Sequence, residues 1–156
     1  MGRASSGLVG VMAVAGLLAT ATIGTLAAAE PSRAGRDVAE STKDAEGYSA
    51  ALVVGKYKAG EKGAFTVTLK PKDGFHINAQ FPARFKATAV EGITYDKAVL
   101  KREDGKFTET AGTFTVELTA AKPGNYTVGG TLSLSVCNEK NCLMEKVPLD
   151  ATITVD

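Results

Sequence analysis

Cys137 and Cys142 are the only two cysteines of the chain and are separated by four residues in the stretch SVCNEKNCLMEKVP, Ser135 to Pro148. Two sulfurs at that spacing admit three chemistries. They can close a disulfide that staples a small domain, exchange that bond with another protein's thiols, or serve as soft metal ligands. The motif differs from the thioredoxin type, where two residues separate the cysteines and a following helix lowers a thiol pKa. As a staple, so short a loop is worth about 2 kcal/mol, against about 4 for a bridge spanning half a domain. Spacing alone therefore leaves a structural clip and an exchangeable pair equally open. A copper reading would add Met144 and the single histidine, His76, to the two thiolates, a donor set suited to Cu(I) but drawn from two distant segments. Glu139, Lys140, Glu145 and Lys146 surround the pair with both signs of charge, as expected of a solvated loop.

The compartment decides which of these chemistries can operate. One charge, Arg3, precedes an uncharged run from Gly7 to Ala29 that ends Ala27-Ala28-Ala29 before Glu30. That is the layout of an export signal over residues 1–29, with cleavage after Ala29. The run is built mainly of Ala, Gly and Thr, which gain little from lipid, so removal is expected in preference to a retained anchor. The mature protein is then periplasmic or secreted, where disulfides form and persist. Residues 30–47 are polar, mixed in charge and without periodicity, and read as a flexible linker.

The elements that must position the cysteines begin at Tyr48. Phe65, Val67 and Leu69 alternate with polar residues, as do Phe114, Val116 and Leu118. The same period of two covers Val128, Leu132, Leu134 and Val136, and again Val147, Leu149, Ala151, Ile153 and Val155, placing each apolar set on one face of a strand. Less regular strands are expected over residues 52–58, 84–90 and 93–100. Turn residues separate them at Gly60 to Gly63, Asp73-Gly74, Asp104-Gly105 and Pro123-Gly124-Asn125. About seven short strands and no amphipathic helix predict an all-β domain over residues 48–156, an immunoglobulin-like antiparallel β-sandwich. On that scaffold Cys137 shares the parity of Ser133 and Ser135 and should face outward, while Cys142 is expected in the connection leading to a strand that starts near Val147.

Two segments, LKPKDGFHINAQFP and LSLSVCNEKNCLMEKVPLDATI, resemble the N-terminal periplasmic domain of the bacterial thiol:disulfide interchange protein DsbD. The similarity runs from about Ala50 to Asp156. It is carried by Asp73-Gly74 leading into Phe75 to Asn78, and by Cys137, Cys142 and Val147-Pro148-Leu149 in that order. The resemblance implies an immunoglobulin-like module that shuttles electrons through a reversible Cys137–Cys142 disulfide, with both cysteines as the redox pair. It implies thioredoxin-like periplasmic partners and a membrane thiol reductase as the ultimate donor, and no cofactor. His76 falls on the strand facing the cysteines and is a candidate neighbour of the redox pair, although a lone strand histidine also fits a surface role. The family shields its cysteines with a cap loop; the matching stretch, Lys101 to Phe107, has no aromatic residue at its tip, leaving Phe107 as the candidate shield. The family continues into a membrane domain, so a chain ending at Asp156 is expected to act as a stand-alone module served by another polypeptide.

Other classes are disfavoured. The net charge is +1 with both signs interspersed, which argues against a nucleic-acid surface or binding to an anionic membrane. No nucleophile and base constellation, phosphate loop or carboxylate pair suggests hydrolysis or group transfer. The rival to exchange is a non-enzymatic immunoglobulin-like binding or scaffold domain whose hairpin is clipped by the same bridge.

Overall fold

The computed structural model describes residues 39–156; the segments expected as export signal and as the first part of the linker lie outside the described residues. Eleven strands are formed: β1 Glu40–Asp44, β2 Tyr48–Val53, β3 Lys62–Pro71, β4 His76–Ile77, β5 Arg84–Ala87, β6 Ile93–Tyr95, β7 Val99–Lys101, β8 Lys106–Phe107, β9 Gly112–Ala120, β10 Gly124–Cys137 and β11 Cys142–Val155. One sheet has the order β1-β2-β3-β9-β6, with β8 also on β9. The other has the order β11-β10-β5-β7, with β4 also on β10. All ladder pairs are antiparallel. The chain passes repeatedly from one sheet to the other, which makes the fold an immunoglobulin-like antiparallel β-sandwich.

The alternating residues build the core. Phe65, Val67 and Leu69 of β3 and Phe114, Val116 and Leu118 of β9 are buried against Phe85 of β5, Leu132, Leu134 and Val136 of β10, and Leu149 and Ile153 of β11. Phe65 and Phe85 meet edge to face from opposite sheets, with ring centroids 6.0 Å apart. Burying each such side chain stabilises the fold by about 1.5–3 kcal/mol. Gly130 is required where β10 passes between β5 and β11, because a Cβ there would stand 2.1 Å from the Lys86 carbonyl oxygen.

Several boundaries differ from the sequence reading. The folded unit takes in β1, which lies inside the segment expected to be linker and pairs along its whole length with β2. Both faces of β1 are polar and largely exposed, so no apolar alternation announces it. The last strand starts at Cys142, not near Val147, and its ladder with β10 runs unbroken from Gly124 opposite Val155 to Cys137 opposite Cys142. The stretch from Leu143 to Lys146 is therefore strand, held by backbone pairing beyond the main core. The region expected as one strand over residues 93–100 forms two, β6 and β7, one in each sheet.

Candidate functional site: a disulfide at the tip of a long hairpin

The β10–β11 hairpin closes through a short turn set by Asn138. Its backbone N–H donates to the Asn141 carbonyl at 2.9 Å. Its side-chain Oδ1 accepts from the backbone N–H groups of Lys140 at 2.9 Å and Asn141 at 2.8 Å. An Asx turn of this kind fixes the chain direction without help from sulfur. Cys137 and Cys142 are the next pair inward and are joined by a disulfide, with Cα atoms 4.0 Å apart. With Asn138 and Asn141 hydrogen-bonded, alternation makes the cysteines a non-hydrogen-bonded pair, the type in which opposed residues approach most closely.

The register also settles which way the sulfurs point. Val136 and Leu134 are buried in the core, so Cys137 lies on the other face of the sheet, as its parity predicts, with no bulge. On that face Cys137 is nevertheless only 7% exposed, whereas Cys142 is exposed. Beyond β4, the chain from Asn78 to Ala83 runs alongside this part of β10. Asn78 N–H donates to the Ser135 carbonyl at 3.0 Å, and Arg102 Nη1 donates to the Asn78 carbonyl at 3.1 Å. Phe81 on this segment shares a groove of about 370 Å³ with Ser133, Met144, Glu145 and Lys146. Ser135, one pleat from Cys137, is 1% exposed, and its Oγ has no partner among the described residues.

His76 is placed directly opposite Cys137 on the side away from Cys142. Opposed residues in a ladder carry their side chains on the same face, so His76, Cys137 and Cys142 form one row across β4, β10 and β11. The imidazole is exposed. Phe107 is placed differently. Its ring packs edge to face on Phe114 at a centroid distance of 4.9 Å and lies under the Arg102 guanidinium at 5.1 Å. The turn that follows reaches the site through backbone, the Glu109 carbonyl accepting from Ile77 N–H at 2.8 Å. The Lys101 to Phe107 stretch is thus a 3₁₀ turn, Arg102–Asp104, leading into β8, while Phe81 lines the groove on the outer face of the hairpin.

Inward parity on β11 continues through Glu145 to Leu143. Glu145 Oε2 accepts from the Tyr48 hydroxyl at 2.9 Å, which ties β11 to β2 of the other sheet. Burial, and then the Glu145 carboxylate, push the Tyr48 phenol up to about 12. The two sulfurs are bonded to each other and offer no thiolate to a metal. Among the described residues no cluster of three or more His, Cys, Asp or Glu side chains is placed to hold one. Phe81, Ser135 and the Tyr48–Glu145 pair have no sequence signature, because each acquires its place through contacts between distant segments.

No family model matches the chain, and no curated protein matches its sequence. Among solved structures it is similar to AggA, the major subunit of aggregative adherence fimbriae type I from Escherichia coli. That similarity has 10% identity and a TM-score of 0.36, over 76% of this chain and 94% of that one. It is also similar to the ASH/PapD-like domain of human CEP192, with 11% identity and a TM-score of 0.28, over 66% of this chain and 78% of that one. Those scores bear on no function, and the immunoglobulin-like assignment stands on the strand order of the chain itself.

Proposed function

We propose that the domain is an exported thiol–disulfide exchange module whose Cys137–Cys142 bond accepts electrons from a thioredoxin-like partner and passes them on. The observation that carries this reading is the unequal burial of the two sulfurs. Cys142 is exposed at the hairpin tip, and Cys137 is covered. A partner thiolate attacks Cys142 Sγ; the intramolecular S–S bond breaks and its electron pair leaves on Cys137 Sγ, which takes up a proton. A second partner thiolate then attacks the partner's sulfur in the mixed disulfide and releases Cys142. Two electrons have moved, leaving a dithiol here and a disulfide on the partner. The resemblance to the DsbD N-terminal domain supports the class of partner.

The test is a trap. In Cys137→Ser, Cys142 should capture a thioredoxin-like protein as a mixed disulfide, and in Cys142→Ser the buried Cys137 should capture far less. A reduction potential within reach of thioredoxin-like proteins, read by alkylation in defined thiol buffers, belongs to the same expectation. The burial of Cys137 also favours a second reading, a scaffold domain with a structural clip. A pair that stays oxidised below roughly −300 mV and captures no partner would establish the clip.

A further inference from the structure

The sheet that carries the disulfide ends at β11, which pairs with β10 on one side only. Because Asn138 and Asn141 are hydrogen-bonded, residues 143, 145 and 147 direct their backbone groups toward β10, and Cys142, Met144 and Lys146 direct theirs away. Asp156 has the same parity and confirms the direction. Its N–H donates to the Tyr57 carbonyl at 3.0 Å, and its carbonyl accepts from Ala59 N–H at 2.9 Å, both on the side away from β10. Near the hairpin tip β1 and β2 of the other sheet pass close to β11 but leave that row of backbone groups unpaired. Among the described residues no hydrogen bond reaches the outward backbone groups of Cys142, Met144 or Lys146. Pro148 follows at the next outward position and has no N–H to offer, so the usable edge ends there.

Resting on the exchange reading above, we infer that the partner docks by adding an extended backbone segment to the free edge of β11 between Cys142 and Lys146. Three further observations converge on this edge. The disulfide runs across the ladder from β10 to β11, so the rear of Cys142 Sγ, from which an in-line thiolate must come, lies on the free-edge side. A residue paired with Cys142 through its outward N–H and carbonyl stands about 5.5 Å away between Cα atoms, within the span that a disulfide bridges. Met144, at 70% exposed the one exposed large apolar side chain among the described residues, sits between those backbone donors and lines the groove with Phe81 and Lys146. Backbone pairing supplies affinity with little demand on sequence, and the groove receives a side chain of the added segment. An exposed edge normally invites indiscriminate pairing; here Lys146 and Pro148 limit it to a few residues beside the reactive sulfur.

The experiment uses the full chain carrying Cys137→Ser, with Cys142 activated as its thionitrobenzoate disulfide. Release of the chromophore is timed with two probes, reduced thioredoxin lacking its resolving cysteine, and glutathione. Met144→Pro removes one outward N–H and obstructs the edge while leaving the ladder to β10 intact, as Pro148 already does at an equivalent position. The expected result is a loss of about tenfold in the thioredoxin rate, the worth of one or two hydrogen bonds, with the glutathione rate unchanged. Equal retention of both rates overturns the inference and leaves exchange standing. If thioredoxin reacts no faster than glutathione with the unaltered edge, exchange itself fails and the inference falls with it. Should Met144→Pro lose its thermal transition, amide hydrogen exchange of the trapped Cys137→Ser complex decides. Protection of the Met144 and Lys146 amides on complex formation is expected, and unchanged exchange there refutes strand addition.

Discussion

Reduction of the Cys137–Cys142 bond should leave the domain folded and cost only a modest part of its stability. The bridge joins residues five apart in sequence, so it removes little freedom from the unfolded chain, about 2 kcal/mol in the chain-entropy model. In the native state its partners are held without it. The ladder continues through both strands from the far end to the cysteines, and the Asn138 turn closes the tip with three hydrogen bonds. A domain of roughly 120 residues has about 6–18 kcal/mol to lose. Spread over the unfolding entropy of such a domain, the loss lowers Tm by about 8 °C. The assay is a pair of thermal and urea melts with and without a phosphine reductant, repeated on the variant carrying both Cys137→Ser and Cys142→Ser. A cooperative transition shifted by that amount is expected, with the urea m-value unchanged. Loss of the transition at 25 °C, or a deficit above about 4 kcal/mol, would refute the reasoning, because a bond the fold cannot survive without is not one it can trade.

Three other perturbations follow from the packing. The Tyr48 phenol is pushed up to about 12, so its contribution to stability is fully present below the unfolded value near 10 and fades as pH rises through about 12. Between those limits Tm of the native protein should fall more steeply than that of Tyr48→Phe, and a flat difference would place the shift elsewhere. Ser135→Ala removes a buried hydroxyl that has no partner among the described residues; urea melts should show a change from zero to about 1.5 kcal/mol more stable, and a loss above about 1 kcal/mol would mean the hydroxyl is satisfied. Gly130→Ala places a Cβ 2.1 Å from the Lys86 carbonyl oxygen and 2.7 Å from the Phe85 ring, and should destabilise by about 3 kcal/mol, with β5 and β10 losing hydrogen-exchange protection. Near-native stability would show that the two strands can separate there at little cost.

What the sequence reveals of this fold is what burial enforces. Phe65 to Leu69, Phe114 to Leu118, Leu132 to Val136 and Val147 to Val155 alternate because one face of each meets the core, and those four segments already imply a sandwich. β1 was hidden because neither of its faces is apolar. The first turn of the β11 ladder was hidden for a different reason, since its pattern is inverted. Glu145 has inward parity and Met144 outward, and Glu145 stays exposed where the hairpin runs past the core, with Tyr48 of the other sheet donating to it. The outward parity of Cys137 was readable, but its burial was not. Cover on that face involves the segment from Asn78 to Ala83, whose hold on the site runs through backbone groups and Arg102, and backbone contacts leave no mark on residue type. His76 shows the converse: a position opposite Cys137 fixed by two ladder pairs, with nothing in its local sequence beyond its own chemistry to signal a site.

The placement of the sulfurs bears on why they are there. A clip is most useful where it closes a long loop or holds segments that would otherwise drift apart. These two cysteines sit where an Asx turn and a continuous ladder already bring their Cα atoms to 4.0 Å, which is where a bond contributes least to stability. The same placement suits exchange. When the bond opens, both sulfurs stay opposed on one rigid hairpin, so re-forming it needs no folding step, and the exposed member remains beside a free strand edge. A stabilising role would predict little penalty for moving the pair inward by two residues along the ladder, to Ser135 and Met144. Exchange predicts that such a transplanted disulfide, with its covered sulfur at the 1% exposed position of Ser135 and its other sulfur at the 70% exposed position of Met144 on the same edge of β11, captures a thioredoxin-like protein as the native pair does. Capture by the native pair and none by the transplanted one would show that unequal burial beside the strand edge is not what carries exchange.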